Sequence, residues 1–217
     1  MNREEQKGKA SKVDHYFSEK QNSSFDPFTI PVTLGKETYQ LYSAGGVFSH
    51  KHLDKGTEAL ITYADKSTLG KDSKILDLGC GYGVVGIALL LEEPAREVWF
   101  VDTNKRAVAL TNMNLDALNL KGTALKSDVF SALNEETFDH ILTNPPYAAG
   151  REVCFAFIDQ SYEHLRSGGS LQLVCRRRKG GDVLEKHMEE TFGNVEVVGQ
   201  KGGFRIYRSV KGFKKDS

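Results

Sequence analysis

Ile75-Leu76-Asp77-Leu78-Gly79-Cys80-Gly81-Tyr82-Gly83 runs from a short apolar stretch into a glycine-rich turn, and a second apolar stretch, Val84 to Leu91, follows at once. Lys74 to Leu78 reads as a strand, and Val84 to Leu91, ending near Pro94, as a helix. Glycines let the backbone turn tightly here and approach a ligand without side-chain interference. In an open parallel sheet, ligands bind at the carboxyl ends of strands, beside the point where strand order reverses.

The same alternation continues downstream. Glu97 to Val101, Ala124 to Ser127, Phe138 to Thr143 and Ser170 to Cys175 read as strands, with helices over Lys105 to Leu118 and Val153 to Leu165. Short apolar strands separated by helices indicate parallel βαβ units with both sheet faces covered. Asp182 to Thr191 reads as a last helix. Val195 to Val198 and Phe204 to Ser209 follow as strands joined by Gln200-Lys201-Gly202-Gly203. The expected fold is α/β, a doubly wound, mostly parallel seven-stranded sheet with a closing antiparallel hairpin, the look of a class I methyltransferase. Upstream, Phe28 to Leu34 and Thr38 to Ser43 form an N-terminal β-hairpin extension across Gly35-Lys36, a turn with glycine at its first central position. A glycine-rich loop (Ala44 to Phe48) and a helix over Asp54 to Tyr63 come next. The expected division is a polar, basic tail at 1–24, the hairpin and loop at 25–56, and the core at 57–217.

Asp102 ends the second strand, where a carboxylate can accept from both hydroxyls of a ribose, and Asp128 follows the third, placed to receive an adenine amine. Gly81-x-Gly83-x-x-Gly86 with Asp102 also satisfies a dinucleotide fingerprint, so the glycines alone leave an NAD-binding or non-catalytic protein open. Asp77 ahead of the turn, Asp128, and above all Asn144-Pro145-Pro146-Tyr147 at the end of the fourth strand favour methyl transfer. An exocyclic amine is a poor nucleophile because its lone pair is delocalised. Transfer from a sulfonium needs that lone pair aimed in line at the methyl carbon. An Asn side-chain oxygen and a backbone carbonyl can hold both amine hydrogens and stabilise the charge developing on nitrogen. Prolines stiffen such a loop and leave its carbonyls free, and Tyr147 can stack on a planar base.

Bulk properties set the outer limits. The 217 residues are 39% hydrophobic and 27% charged, ordinary for a soluble domain, and 29 Lys plus Arg balance 29 Asp plus Glu. Positive charge is local: the first dozen residues, Arg176-Arg177-Arg178-Lys179, and Lys211 to Lys215. No stretch is apolar enough to span a bilayer, and Met1 to Lys12 has no secretory apolar core. Three scattered cysteines make neither a disulfide framework nor a CxxC pair, which fits a reducing cytoplasm. His50 and His52 have no third ligand nearby, so no metal site is expected.

With these residues together, the chain resembles the small-domain branch of the ribosomal RNA guanine-(2-amino) methyltransferases, including its short single-domain members. The resemblance runs from His15-Tyr16-Phe17-Ser18 to Arg208. It takes in Gly46 to Ser49, Leu53 to Thr57, Asp77 to Gly83, Asn144 to Pro146 with Gly150, Phe192 to Glu196, and Gly202 to Arg205. It implies S-adenosyl-L-methionine as cofactor, with Gly79, Gly81 and Gly83 lining it, Asp102 on its ribose and Asp128 on its adenine. Asn144 to Tyr147 would present the target amine. Val47 and Phe48, with Asp54 and Thr57, would border the methionine end and the substrate. Phe48, Arg151 and the run Arg176, Arg177, Arg178, Lys179 are the candidate contacts to RNA, the implied partner. Two departures bear on the substrate. The basic run replaces a Gln-Lys-Gln-Gly type segment of many relatives, and Tyr147 replaces an aliphatic residue common in guanine-specific ones. Tyr is shared with enzymes acting on adenine or on protein glutamine, which stay as alternatives to guanine.

Overall fold

The computed structural model describes residues 24–212; the rest of the expected tail, His15 to Ser18 included, and Lys214 and Lys215 lie outside them. The central sheet has seven strands: β3 (Lys74–Leu78), β4 (Glu97–Asp102), β5 (Thr123–Lys126), β6 (Phe138–Thr143), β7 (Leu165–Arg176), β8 (Glu196–Lys201) and β9 (Phe204–Val210). Their spatial order is β5-β4-β3-β6-β7-β9-β8. β3 to β7 pair in parallel, whereas β9 runs antiparallel to both β7 and β8. The chain leaves β3 for one side of the sheet and returns to β6 on the other, so the strand order reverses beside the glycine turn.

Alternating side chains feed two cores. Ile75, Leu142 and Val174 face one, shared with α1 (Lys55–Tyr63), α2 (Val84–Glu92) and α3 (Lys105–Ala117). Leu76, Ile141, Leu173 and Cys175 face the other, shared with α4 (Arg151–His164) and α5 (Gly181–Phe192). A separate two-stranded sheet, β1 (Phe28–Leu34) with β2 (Glu37–Ser43), lays Ile30, Val32, Leu34 and Leu41 on the first core. Its turn is Gly35-Lys36, with Gly35 at φ +63° as the sequence predicts.

Fully buried Asn114 on α3 fastens that hairpin. Its Oδ1 accepts from Tyr42 N (2.6 Å) and its Nδ2 donates to the carbonyls of Tyr42 (3.1 Å) and Tyr82 (2.9 Å). One side chain thus ties β2 to the glycine turn.

Most boundaries lie within two residues of expectation, and two depart further. α4 stops at His164 and β7 starts at once, because Leu165 pairs with Phe138 before residues 166–169 bulge and Ser170 pairs with His140. A Cβ on Gly169 would lie 2.7 Å from the Asp139 carbonyl, so only glycine fits the bulge. At the closing hairpin, Gln200 and Lys201 belong to β8. The turn is Gly202-Gly203 alone, at φ +56° and +83°, the two positive values of a tight two-residue loop.

Candidate active site

The glycine turn is pinned at nearly every residue. Gly79 N and Cys80 N both donate to the Val101 carbonyl (2.9 Å each), and Gly81 N donates to Asp102 Oδ2 (3.0 Å). From α3, the Thr111 hydroxyl donates to the Gly81 carbonyl (3.1 Å). Gly79, Gly81 and Gly83 have φ of +72°, +59° and +87°. A Cβ on Gly83 would come within 2.8 Å of Thr111, whereas one on Gly81 would meet nothing within 4 Å. The turn is therefore closed toward α3 and open above Gly81. Asp77 braces it from behind, its buried carboxylate accepting from Gly86 N (2.9 Å) in the first turn of α2. Asp102 Oδ1 also accepts from Asn104 N (2.8 Å), and Asn104 Nδ2 donates to the Gly46 carbonyl (2.9 Å). The loop after β2 is thereby drawn over the end of β4.

At the end of β6, the Asn144 amide is held in one orientation. Nδ2 donates to Asp54 Oδ2 (3.0 Å) and to Thr57 Oγ1 (2.9 Å). A carboxylate only accepts, so the atom facing Asp54 must be the amide nitrogen, and Oδ1 is left as the outward acceptor. No described residue donates to that oxygen, and it is not among the buried unsatisfied atoms. Asp54 Oδ2 is also the N-cap of α1, accepting from Gly56 N (2.8 Å) and Thr57 N (3.0 Å). The capping carboxylate and the amide that aims the acceptor are thus a single unit.

The Pro-Pro turn departs from expectation. Its carbonyls are engaged: Pro145 O accepts from Tyr147 N (3.0 Å), a tight three-residue turn, and Pro146 O accepts from Ala149 N (2.9 Å). Each carbonyl oxygen has two lone pairs, so one acceptor position remains on Pro145. Tyr147 is anchored: its hydroxyl donates to the Val174 carbonyl and its ring packs on the second core. Burial pushes its phenol well above the ordinary value.

The remaining candidates spread around this centre. Asp128 is exposed two residues past β5, its N–H donating to Ser131 Oγ (3.2 Å). Val47 is buried in the first core, while Phe48 in the same loop is 47% exposed. Arg151 is exposed at the start of α4. Arg176, Arg177 and Arg178 are exposed at the carboxyl end of β7, and the Lys179 side chain is not described. Arg176 lies over Phe204 at 4.7 Å. Sequence reasoning missed the holding residues Asn104, Thr111 and Asn114. For the last two, polar side chains on the helix face that should be apolar were the available signal.

The description "Methyltransferase small domain" fits a family model matching residues 38–208. The chain belongs to the methyltransferase small-domain family. It is 35% identical over 200 residues to YbxB, an uncharacterised protein of Bacillus subtilis, covering 91% of this chain and 98% of that one. To the ribosomal RNA small subunit methyltransferase C of Pseudomonas entomophila it is 35% identical over 205 residues, covering 92% of this chain and 59% of the other. Among solved structures it resembles the T. thermophilus 16S rRNA N2 methyltransferase RsmC, in complex with AdoMet and guanosine. The TM-score is 0.75 at 30% identity, covering 87% of this chain and 51% of that one. The chain thus spans about half to three-fifths of these two longer relatives.

The site of this small-domain methyltransferase suits S-adenosylmethionine. The turn is open above Gly81, where backbone can approach a ligand, and Asp102 ends β4 with carboxylate acceptors suited to a diol. Asp77 adds a pH dependence of stability. Burial pushes its carboxyl up from 3.8 to about 7, with the Asp102 charge adding to the rise and the Gly86 N–H opposing it. The folded protein keeps a proton there that the unfolded chain releases near 3.8. The associated stability is full below that pH and is lost as pH rises through about 7. The limiting slope is about 1.4 kcal/mol per pH unit. Asp77→Asn keeps an acceptor for Gly86 N and removes the titration. Chemical denaturation of both proteins across this window should show wild type losing stability relative to the variant; parallel curves would refute the assignment.

Proposed function

We propose that the chain is an S-adenosylmethionine-dependent N-methyltransferase acting on the 2-amino group of a guanine in small-subunit ribosomal RNA. The observation that carries the reading is the Asn144 amide, whose nitrogen is held by Asp54 and Thr57 so that Oδ1 is presented as an acceptor. The guanosine bound to the T. thermophilus relative and the small-subunit rRNA relatives support guanine over adenine or protein glutamine. Bound at the glycine turn, S-adenosylmethionine supplies a methyl group activated on a sulfonium.

The chain's own residues do the positioning. Asn144 Oδ1 and the second lone pair of the Pro145 carbonyl accept the two amine hydrogens, which turns the nitrogen lone pair toward the methyl carbon. As the bond forms, positive charge grows on nitrogen, and both acceptors stabilise it. No strong general base is needed, because the cationic product amine loses its proton readily. Most of the rate gain comes from orientation, for which effective molarities of ~10⁵–10⁸ M are precedented. Tyr147 contributes a ring braced through Val174, a fixed surface beside the splayed base rather than a mobile one. Arg151, Phe48 and the Arg176 to Lys179 run are the proposed RNA contacts, and a cytoplasmic location is proposed with that substrate.

The test is incubation with methyl-labelled cofactor and either ribosomal RNA from cells lacking the gene or ribosomal proteins. Nucleoside mass spectrometry should then find N2-methylguanosine in small-subunit RNA. Label in N6-methyladenosine, or in glutamine of the protein fraction, would replace guanine with that alternative.

A further inference from the structure

The β8–β9 tip, absent from the candidate substrate contacts, reaches the same edge of the sheet as Asn144. β9 is antiparallel to β7, so Phe204 pairs with Arg176 at the carboxyl end of the parallel strands. The Phe204 ring leans on the first turn of α1. A Cβ on Gly56 would lie 2.9 Å from both Phe204 Cε1 and Asp54 Oδ2. From Asn144 the path thus runs through Asp54 to the Phe204 ring, over which the Arg176 guanidinium lies at 4.7 Å.

Phe204 also lines an open groove of about 400 Å³, together with Arg177, Gln200, Lys201, Gly203 and Arg205 among others. Arg177 N donates to the Gly203 carbonyl (3.2 Å), fixing the basic run to the hairpin tip. Each cation of the groove leans on a carboxylate: Arg177 on Asp182 (3.7 Å), Lys201 on Glu58 (3.2 Å) and Arg205 on Glu185 (3.8 Å). The Arg177 and Lys201 pairs are solvent-exposed, and exposed pairs of this length are weak and exchange partners easily; Arg205 and Glu185 are partly buried. A backbone phosphodiester, with two charged non-bridging oxygens, competes well for a guanidinium or an ammonium held this loosely.

We propose that this groove grips the RNA backbone next to the target nucleotide, with Phe204 under Arg176 as the wall between the phosphate site and the amine site. The inference rests on the RNA reading above. It adds Lys201, Phe204 and Arg205 to the substrate surface and makes the closing hairpin a substrate-binding element. A single-stranded segment splayed at one base would then have its flanking phosphate held while the base reaches Asn144.

The experiment measures binding of full-length protein to an unmethylated small-subunit ribosomal RNA transcript over a series of salt concentrations. Calorimetry with S-adenosylmethionine serves as the check on folding. Arg177→Ala/Lys201→Ala should weaken RNA binding on the order of tenfold and make the log–log salt slope shallower by about 1.5, two phosphate contacts' worth. Cofactor affinity should stay at the wild-type value. Glu58→Gln/Glu185→Gln, which frees two cations, should tighten binding by about two- to threefold, a change of sign that a purely structural role for the ion pairs does not produce. Lys71→Ala/Lys121→Ala, at the opposite edge of the sheet, should leave the slope near that of wild type; an equal loss there would reduce the effect to general charge and overturn the proposal. Unchanged affinity and slope in Arg177→Ala/Lys201→Ala, with wild type still methylating RNA, would overturn the groove alone. Failure of wild type to bind or methylate RNA would overturn both readings.

Discussion

Asn144→Ala should bind S-adenosylmethionine as wild type does and transfer its methyl group at least about 100-fold more slowly, the usual cost of removing one preorganised electrostatic contact to the transition state. The side chain removed lies at the end of β6, while the cofactor turn is held independently by Val101, Asp102, Thr111 and Asn114. Substrate capture and chemistry should therefore separate, with a fall in kcat larger than any rise in KM. Asn144→Asp sharpens the test. It keeps an acceptor oxygen but places a second carboxylate where Nδ2 now donates to Asp54 at 3.0 Å. Repulsion between the two acids would turn the new side chain away, so Asp should not rescue Ala. Labelled-methyl incorporation into RNA beside cofactor calorimetry reads both variants, and wild-type turnover in Asn144→Ala would sink the amine-positioning argument.

Asn114→Ala should be the most damaging single change to stability outside the apolar cores. It strands three backbone groups: the N–H and carbonyl of Tyr42 and the carbonyl of Tyr82. A buried polar group left unsatisfied costs ~1–3 kcal/mol, so a loss of about 3 kcal/mol or more is expected. The damage should also reach function, because the Tyr82 carbonyl belongs to the glycine turn. Urea denaturation should show the lowered midpoint, and titration should show weakened S-adenosylmethionine binding in the variant while it is still folded. A stability within about 1 kcal/mol of wild type would mean that water replaces the amide and that the hairpin needs no such fastening.

The parts legible in the sequence are those that local pattern determines. The glycine turn, the strand spacing after it, Gly35-Lys36 and the Asn144 motif all depend on residues within a few positions of each other. The site's internal bracing depends on distant residues, and there the sequence gives little warning. Asp54 and Asn144 are 90 positions apart, and nothing in either segment says that one carboxylate oxygen serves a helix cap and an amide together. The engaged carbonyls of Pro145 and Pro146 follow from a tight turn whose hydrogen bonds become visible only once Tyr147 is anchored under Val174. The start of β7 at Leu165 differs from the expected Ser170 because helix and strand abut there with no breaker between them, and the glycines that follow mark a bulge.

Because Asp54 caps α1 and also holds Asn144, the first turn of α1 acts as a thermal fuse for the chemistry. Helix ends open and close at free energies far below that of global unfolding. Each time Gly56 N and Thr57 N leave Asp54, the carboxylate can swing and the amide loses its reference direction. The competent fraction of folded molecules is then set by a local fraying equilibrium, and warming should blunt catalysis before the sheet, the hairpin or the cofactor turn loosens.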